Sequence, residues 1–207
     1  MKIKVCGMRD TENIRQLAET GIDYMGLIFY PASPRHVAER PKFLPDAADG
    51  IKLTGVFVDA PIEVIMEKVA EYSLSAVQLH GSETPGFCRQ VMERSGAEVI
   101  KALHISASGD IEKGKEYAGY CNFLLLDTAC SGYGGSGRRF DWGALESCNL
   151  ETPFFLSGGI DLSCAARIAA MNCPGMAGVD INSRFEISPG IKDIELIKSF
   201  MDKLKGE

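Results

Sequence analysis

Basic charge, long apolar runs, paired cysteine motifs and histidine clusters are all scarce in this 207-residue chain. Each scarcity removes a class of function. The 22 Lys+Arg are outnumbered by 28 Asp+Glu, giving a formal net charge of −6 at pH 7. Nucleic-acid and membrane-surface binding need a broad basic field, so neither partner is expected. No stretch approaches the roughly 18 consecutive apolar residues of a membrane span. The brief apolar stretch within Met1 to Met8 is too short for a secretory h-region. Seven cysteines (Cys6, Cys88, Cys121, Cys130, Cys148, Cys164, Cys173) form no CxxC pair and are odd in number, fitting neither a zinc ribbon nor a disulfide framework. They read as free thiols in a reducing cytoplasm. The three histidines show no HxH or HExxH spacing, so no metal is expected. No Pro/Ser-rich linker or composition break divides the chain, so residues 1–207 are expected to form one domain.

What is present is ordinary globular composition, 45% apolar and 24% charged, arranged in a repeating pattern. Short β-branched runs recur at Ile3–Cys6, Tyr24–Phe29, Leu53–Val58 and Ala76–His80, then at Glu98–Ala102, Phe123–Asp127, Pro153–Ser157 and Gly178–Ile181. They are continuous rather than alternating, as strands buried on both faces are. Helical spacing lies between them. Asp10 or Thr11 can cap a helix ending near Gly21, Pro61 opens another, and Thr84-Pro85 starts a third running to Arg94. Ser163 can cap Cys164 to Met171, and Ile191 to Leu204 carries apolar residues at helical spacing; the Tyr117 region is weaker. Eight β/α units of about 26 residues place the chain in the α/β class as a small (β/α)8 TIM barrel. An open doubly wound sheet is the alternative.

A barrel puts its chemistry at the carboxyl ends of its strands. Cys6 ends the first, and a thiolate there acts as a base or nucleophile if cations lower its pKa; otherwise it is a small packed residue. Asp127 ends the sixth, as a loop anchor or a general acid. Arg35, between Pro34 and His36 in a Pro-constrained loop after the second strand, has the planar fork that suits a carboxylate or phosphate, or is a plain surface arginine. Gly158-Gly159 after strand seven and Asn182-Ser183 after strand eight together form a candidate phosphate cradle. The Gly132–Gly137 loop either closes over a ligand or is an ordinary loop. Lys101, mid-strand, invites a Schiff-base reading or pairs with an acidic neighbour inside the barrel.

The ordered set of motifs resembles the phosphoribosylanthranilate isomerase family of tryptophan biosynthesis. It comprises Lys4-Val5-Cys6-Gly7-Met8, Gly26-Leu27-Ile28-Phe29 with Ser33-Pro34-Arg35, Gly55-Val56-Phe57-Val58 and Val77-Gln78-Leu79-His80-Gly81. It continues with Leu124-Leu125-Leu126-Asp127, Gly134-Gly135-Ser136-Gly137, Phe140-Asp141-Trp142, Ser157-Gly158-Gly159-Ile160 and Gly178-Val179-Asp180 with Glu186, Pro189-Gly190 and Lys192-Asp193. These cover nearly the whole chain.

The resemblance implies an Amadori rearrangement of a small phosphosugar, N-(5-phosphoribosyl)anthranilate. It implies Asp127 as general acid on the ring oxygen, Cys6 as general base at C2′ and Arg35 on the anthranilate carboxylate. His80 and Asp180 become substrate-orienting residues, and Gly158, Gly159, Asn182 and Ser183 hold the phosphate. An acid and a base suffice, so neither cofactor nor obligatory protein partner is expected. Two positions depart from the family pattern. Asn182-Ser183-Arg184 stands where a Ser-Ser-Gly stretch is usual, and Ser157 where alanine is usual. Loss of the glycine restricts the backbone, while Arg184 adds positive charge. A Schiff-base aldolase on Lys101 and a non-catalytic phosphosugar binder are the competing readings.

Overall fold

In the computed structural model the apolar runs become eight parallel strands. These are β1 (Lys2–Cys6), β2 (Tyr24–Ile28), β3 (Lys52–Phe57), β4 (Ala76–Leu79), β5 (Glu98–Ile105), β6 (Phe123–Thr128), β7 (Phe154–Ser157) and β8 (Met176–Ile181). The structure describes residues 1–128, 142–146 and 148–206. Each strand pairs with the next, and β1 pairs with β8 as well as β2, so that Lys4 lies opposite both Tyr24 and Asp180. That last pairing closes the barrel and removes the doubly wound alternative.

Alternation along the strands sends Tyr24, Ala76, Ile100, Ala102, Leu125 and Phe155 into the barrel interior. There Tyr24, Phe123 and Phe155 meet edge to face. Their neighbours Val5, Met25, Val77, Val99, Leu124 and Leu126 point outward into the larger core beneath the helices. Both faces of each strand are thus covered, which is why the strands read as unbroken apolar runs.

The helices follow their start signals. In α1 (Thr11–Ala18) the Asp10 carboxylate accepts from the Asn13 N–H; α2 (Ile62–Tyr72) follows Pro61; α3 (Pro85–Ser95) is capped by Thr84. The remaining helices are α4 (Gly143–Glu146), α5 (Ala165–Ala170) and α6 (Ile194–Lys205). The last buries Ile197, Phe200 and Met201. Ser108–Tyr117 adopts 3-10 turns, consistent with its weak helical pattern.

Three local expectations change. Ser163 does not cap α5: Asp161 caps a 3-10 turn, Leu162–Cys164, that leads into the helix, and accepts from both the N–H and the hydroxyl of Ser163, so that hydroxyl is already engaged. Ile191 is not helical. It lies in β10 (Ile191–Lys192), which pairs antiparallel with β9 (Glu186–Ser188), and α6 begins behind Asp193 instead. The third change concerns Lys101, which alternates with the inward-facing Ile100 and Ala102 and so sits on the outer wall of the barrel, not inside it. The expected Gly132–Gly137 loop, with Phe140, Asp141 and Cys130, lies outside the described residues.

Candidate active site

A pocket of about 210 Å³ opens at the carboxyl ends of the strands. Its lining draws Cys6 from β1, Gln78 and His80 from the end of β4, Asp127 from β6 and Ser157 to Ile160 from β7. Asp180 and Asn182 to Arg184 come from β8 and the turn after it. Of the nine expected site residues, eight (Cys6, His80, Asp127, Gly158, Gly159, Asp180, Asn182, Ser183) line this one cavity. Arg35 is the exception.

The Cys6 wall depends on a glycine across the strand. A Cβ at Gly26 would fall 2.9 Å from the Cys6 sulfur and 3.0 Å from its Cα, so only glycine lets that side chain lie over β2. Cys6 is buried. Burial pushes its thiol above the ordinary range, the Lys4 ammonium pulls it down, Asp180 pushes it up and Lys192 pulls it down. Lys4 is itself fully buried, with Nζ 2.8 Å from Asp180 Oδ1. Burial opposes its charge, but Asp180 and Cys6 together hold its pKa above the ordinary lysine value.

On another part of the rim, His80 Nε2 lies 3.7 Å from Asp127 Oδ2. The other ring nitrogen, Nδ1, is 2.7 Å from Gln78 Nε2. Gln78 thus holds the ring at Nδ1 and turns Nε2 toward Asp127. Gln78 is buried, and its Oε1 has no partner among the described residues. An amide held this way orients His80 rather than satisfying itself. Asp127 remains one-third exposed, open to a ligand.

The last two strand ends form the expected cradle. Gly158 and Gly159 both adopt positive φ, at 93° and 63°. A Cβ on Gly158 would come within 2.1 Å of the Thr128 carbonyl oxygen, so the loop packs flat against β6. Thr128 Oγ1 donates to the Ser157 carbonyl and accepts from Trp142 Nε1, tying the two strands together. Behind Asn182 the chain makes a single 3-10 turn, Ser183–Phe185. Arg184, which stands where the family has its glycine, lies inside this turn and does not adopt positive φ, so the missing glycine costs nothing there. Ser157, in place of alanine, puts its hydroxyl 3.3 Å from Asp180 Oδ2.

Arg35 stands beside the cavity, with its Nε and Nη2 taken by the Glu186 carboxylate at 2.8 and 2.6 Å. Glu186 also accepts from Lys192 Nζ at 2.7 Å. Burial alone would raise the Glu186 carboxyl, but the Arg35 and Lys192 bonds reverse this and hold it at about 2. Lys4, Gln78, Glu186 and Lys192 lie within the motifs that carry the family resemblance but had no expected role. For Lys4 a signal existed: a lysine two residues before Cys6 in an apolar strand must share its face.

Lys101 does pair with an acidic neighbour, as one of its two readings held. Nζ lies 2.8 Å from Glu83 and bonds the carbonyls of Leu79 and Gly81 at 3.3 and 2.6 Å. These contacts sit behind the wall, outside the pocket lining, so Lys101 has no access to a substrate carbonyl there. Among the described residues no group of three or more His, Cys, Asp or Glu side chains is arranged to hold a metal, and no helix is long and apolar enough to cross a membrane.

The family model described as N-(5'phosphoribosyl)anthranilate (PRA) isomerase matches residues 3–203. The chain belongs to this isomerase family. A family member from Parabacteroides distasonis, named N-(5'-phosphoribosyl)anthranilate isomerase, is 47% identical over 208 residues, covering 99% of this chain and 93% of its own. The crystal structure of the family's enzyme from Thermotoga maritima superposes with a TM-score of 0.83 at 34% identity, over 100% of both chains. A phosphoribosyl anthranilate isomerase in complex with reduced 1-(o-carboxyphenylamino)-1-deoxyribulose 5-phosphate gives a TM-score of 0.78 at 31% identity, again over 100% of both chains.

Proposed function

We propose that Cys6 and Asp127 are the base and acid of the family's reaction in this chain. The enzyme is an isomerase of L-tryptophan biosynthesis, converting N-(5-phosphoribosyl)anthranilate to 1-(2-carboxyphenylamino)-1-deoxyribulose 5-phosphate. The observation that carries the assignment is the placement of a thiol on β1 and a carboxyl on β6 in one pocket, beside a glycine-lined cradle.

The reaction moves two protons. Asp127, in its acid form, protonates the furanose ring oxygen; the C1′–O bond breaks and the nitrogen lone pair closes an iminium. The Cys6 thiolate then removes the C2′ proton, and the freed electron pair neutralises the iminium as an enolamine. Tautomerisation gives the ketone. The working enzyme therefore carries a proton on Asp127 and none on Cys6. His80, with its Nε2 toward Asp127, and Asp180, held by Lys4, orient the sugar hydroxyls. The phosphate lies against Gly158, Gly159, Asn182 and Ser183, with Arg184 adding charge. Arg35, whose Nη1 is not engaged by Glu186, meets the anthranilate carboxylate.

Residues 1–207 act as one catalytic domain in the cytoplasm, on a small phosphosugar and without a protein partner or cofactor. Turnover and ligand affinity of Cys6→Ser and Asp127→Asn test the roles. General acid–base groups contribute about 10²–10⁴-fold, so both variants are expected to lose that much turnover while still binding ligand. Near-normal turnover in either overturns the assignment. Binding without any turnover in the unmodified protein would favour the non-catalytic binder.

A further inference from the structure

Cys6 is an awkward base because burial favours its neutral form, and the structure shows what opposes that preference. Lys4 and Cys6 are two residues apart on β1 and share the inward face. Lys4 is fully buried and paired with Asp180 at 2.8 Å, and its charge acts on the Cys6 thiol two residues along the same face. Beyond Cys6, the buried Lys192 bonds Glu186 and Asn182, each at 2.7 Å, and the half-buried Arg35 grips Glu186 with two nitrogens. The cluster therefore holds three cations (Lys4, Lys192, Arg35) and two carboxylates (Asp180, Glu186). One negative charge is missing.

We propose that Lys4 is the positioning residue that makes the Cys6 thiolate attainable, and that the thiolate is the charge that balances this buried cluster. Lys4 does not touch the reacting carbon; it acts through Cys6. The groups facing the thiol are Lys4 on its own strand, Asp180 on β8, Lys192 on β10 and Arg35 from the loop after β2. Across the mouth lie His80 and Asp127. After burial, Lys4 is the largest influence on the thiol, and Asp180 acts in the opposite sense. A buried cation without the thiolate is a familiar structural element; a buried cluster short of one negative charge, with a thiol at its centre, is a site built to ionise that thiol.

This rests on reading Cys6 as the base, but its test needs no substrate. The test is the pH dependence of Cys6 ionisation, from ultraviolet thiolate absorbance read against the same protein carrying Cys6→Ser, and from peptide-resolved iodoacetamide labelling. Lys4→Met is expected to move the midpoint up by at least one unit, about tenfold less thiolate at a given pH. Asp180→Asn is expected to move it down, and Lys4→Arg to keep it near the parent value. A general loosening of the fold would shift all variants the same way, so opposite signs are the signature. If Lys4→Met does not fold, the neutral pair Lys4→Met/Asp180→Asn replaces it, with a midpoint still above the parent. An unmoved midpoint in the Lys4 variant that folds, or equal-signed shifts for Lys4→Met and Asp180→Asn, overturns the proposal. If the titration stays put while the protein still isomerises its substrate, the role of Lys4 falls alone; if the titration shifts but Cys6→Ser retains turnover, the base assignment falls and the electrostatics stand.

Discussion

Replacing Lys101 by methionine removes the ammonium behind the β4 wall that bonds Glu83 and the carbonyls of Leu79 and Gly81 together. Methionine keeps the length and apolar stem, so the loss is electrostatic and not a cavity. Glu83 is then a carboxylate 3% exposed whose remaining donors are the Asp59 and Gly81 N–H groups. Removing one partner of such a buried pair costs about 3–5 kcal/mol, because the other charge stays behind unpaired. At about 2.1 cal/mol/K per residue, a chain of 207 residues should then melt about 7–12 °C lower. Thermal unfolding by circular dichroism, with urea midpoints as a second measure, reads this directly. The double variant Lys101→Met/Glu83→Leu is expected to recover most of the loss, since it removes both charges together. Lys101 also fixes the carbonyls on either side of His80, so the single variant should raise KM as that ring loosens. A melting point unchanged in Lys101→Met, or a double variant no better than the single, would refute the reasoning. A borohydride adduct on Lys101 with substrate would restore the Schiff-base alternative.

Two further outcomes follow from the same geometry. Gly158→Ala puts a methyl 2.1 Å from the Thr128 carbonyl at φ 93°, so it should destabilise the protein by about 1–3 kcal/mol and weaken phosphate binding, read as a raised KM for substrate and poorer competition by inorganic phosphate. The Glu186 carboxyl is held at about 2 against an ordinary 4.5, so the stability it contributes is present above pH 4.5 and is lost as pH falls from there toward 2. Denaturant midpoints of the unmodified protein and Glu186→Gln should therefore differ most near neutral pH and converge on acidification; a gap that widens below pH 4.5 would contradict the ion-pair assignment.

Much of this was legible in the residues themselves. Strands buried on both faces must be apolar throughout, so β1 to β8 announced themselves as short β-branched runs. Asp10, Pro61 and Thr84 marked helix starts because each satisfies or spares an orphan N–H at a first turn. The β9–β10 hairpin left no such mark: its strands are three and two residues long, and Ile187 on it is 75% exposed, so no apolar period is present to read. At the site, strand-end position singled out Cys6 and Asp127 and the family resemblance added His80 and Asp180; all four meet because a barrel gathers its strand ends in one place. Which face a charged strand residue takes was harder. Lys4 and Lys101 are both lysines in apolar strands, yet one faces Cys6 inside and the other Glu83 outside. The deciding information is strand phase, fixed by Ile100 and Ala102 on one side and by Cys6 on the other. The Arg35–Glu186–Lys192 cluster joins residues 151 and six positions apart, a pairing that only the closed barrel and its hairpin create.

The most direct test of the acid and base assignments separates the two proton transfers in time. Each variant is mixed in excess with N-(5-phosphoribosyl)anthranilate for a single turnover and quenched with borodeuteride, which places deuterium on C1′ of an open-chain iminium but on C2′ of the ketone product, so that fragment masses tell the reduced open-chain amine of the intermediate from reduced product. If Asp127 opens the ring and Cys6 acts afterwards, Cys6→Ser should accumulate the reduced open-chain amine above the level formed in buffer, and Asp127→Asn should stay at that level. The reverse pattern, or no excess from Cys6→Ser, would contradict the assignment of Asp127 as acid and Cys6 as base.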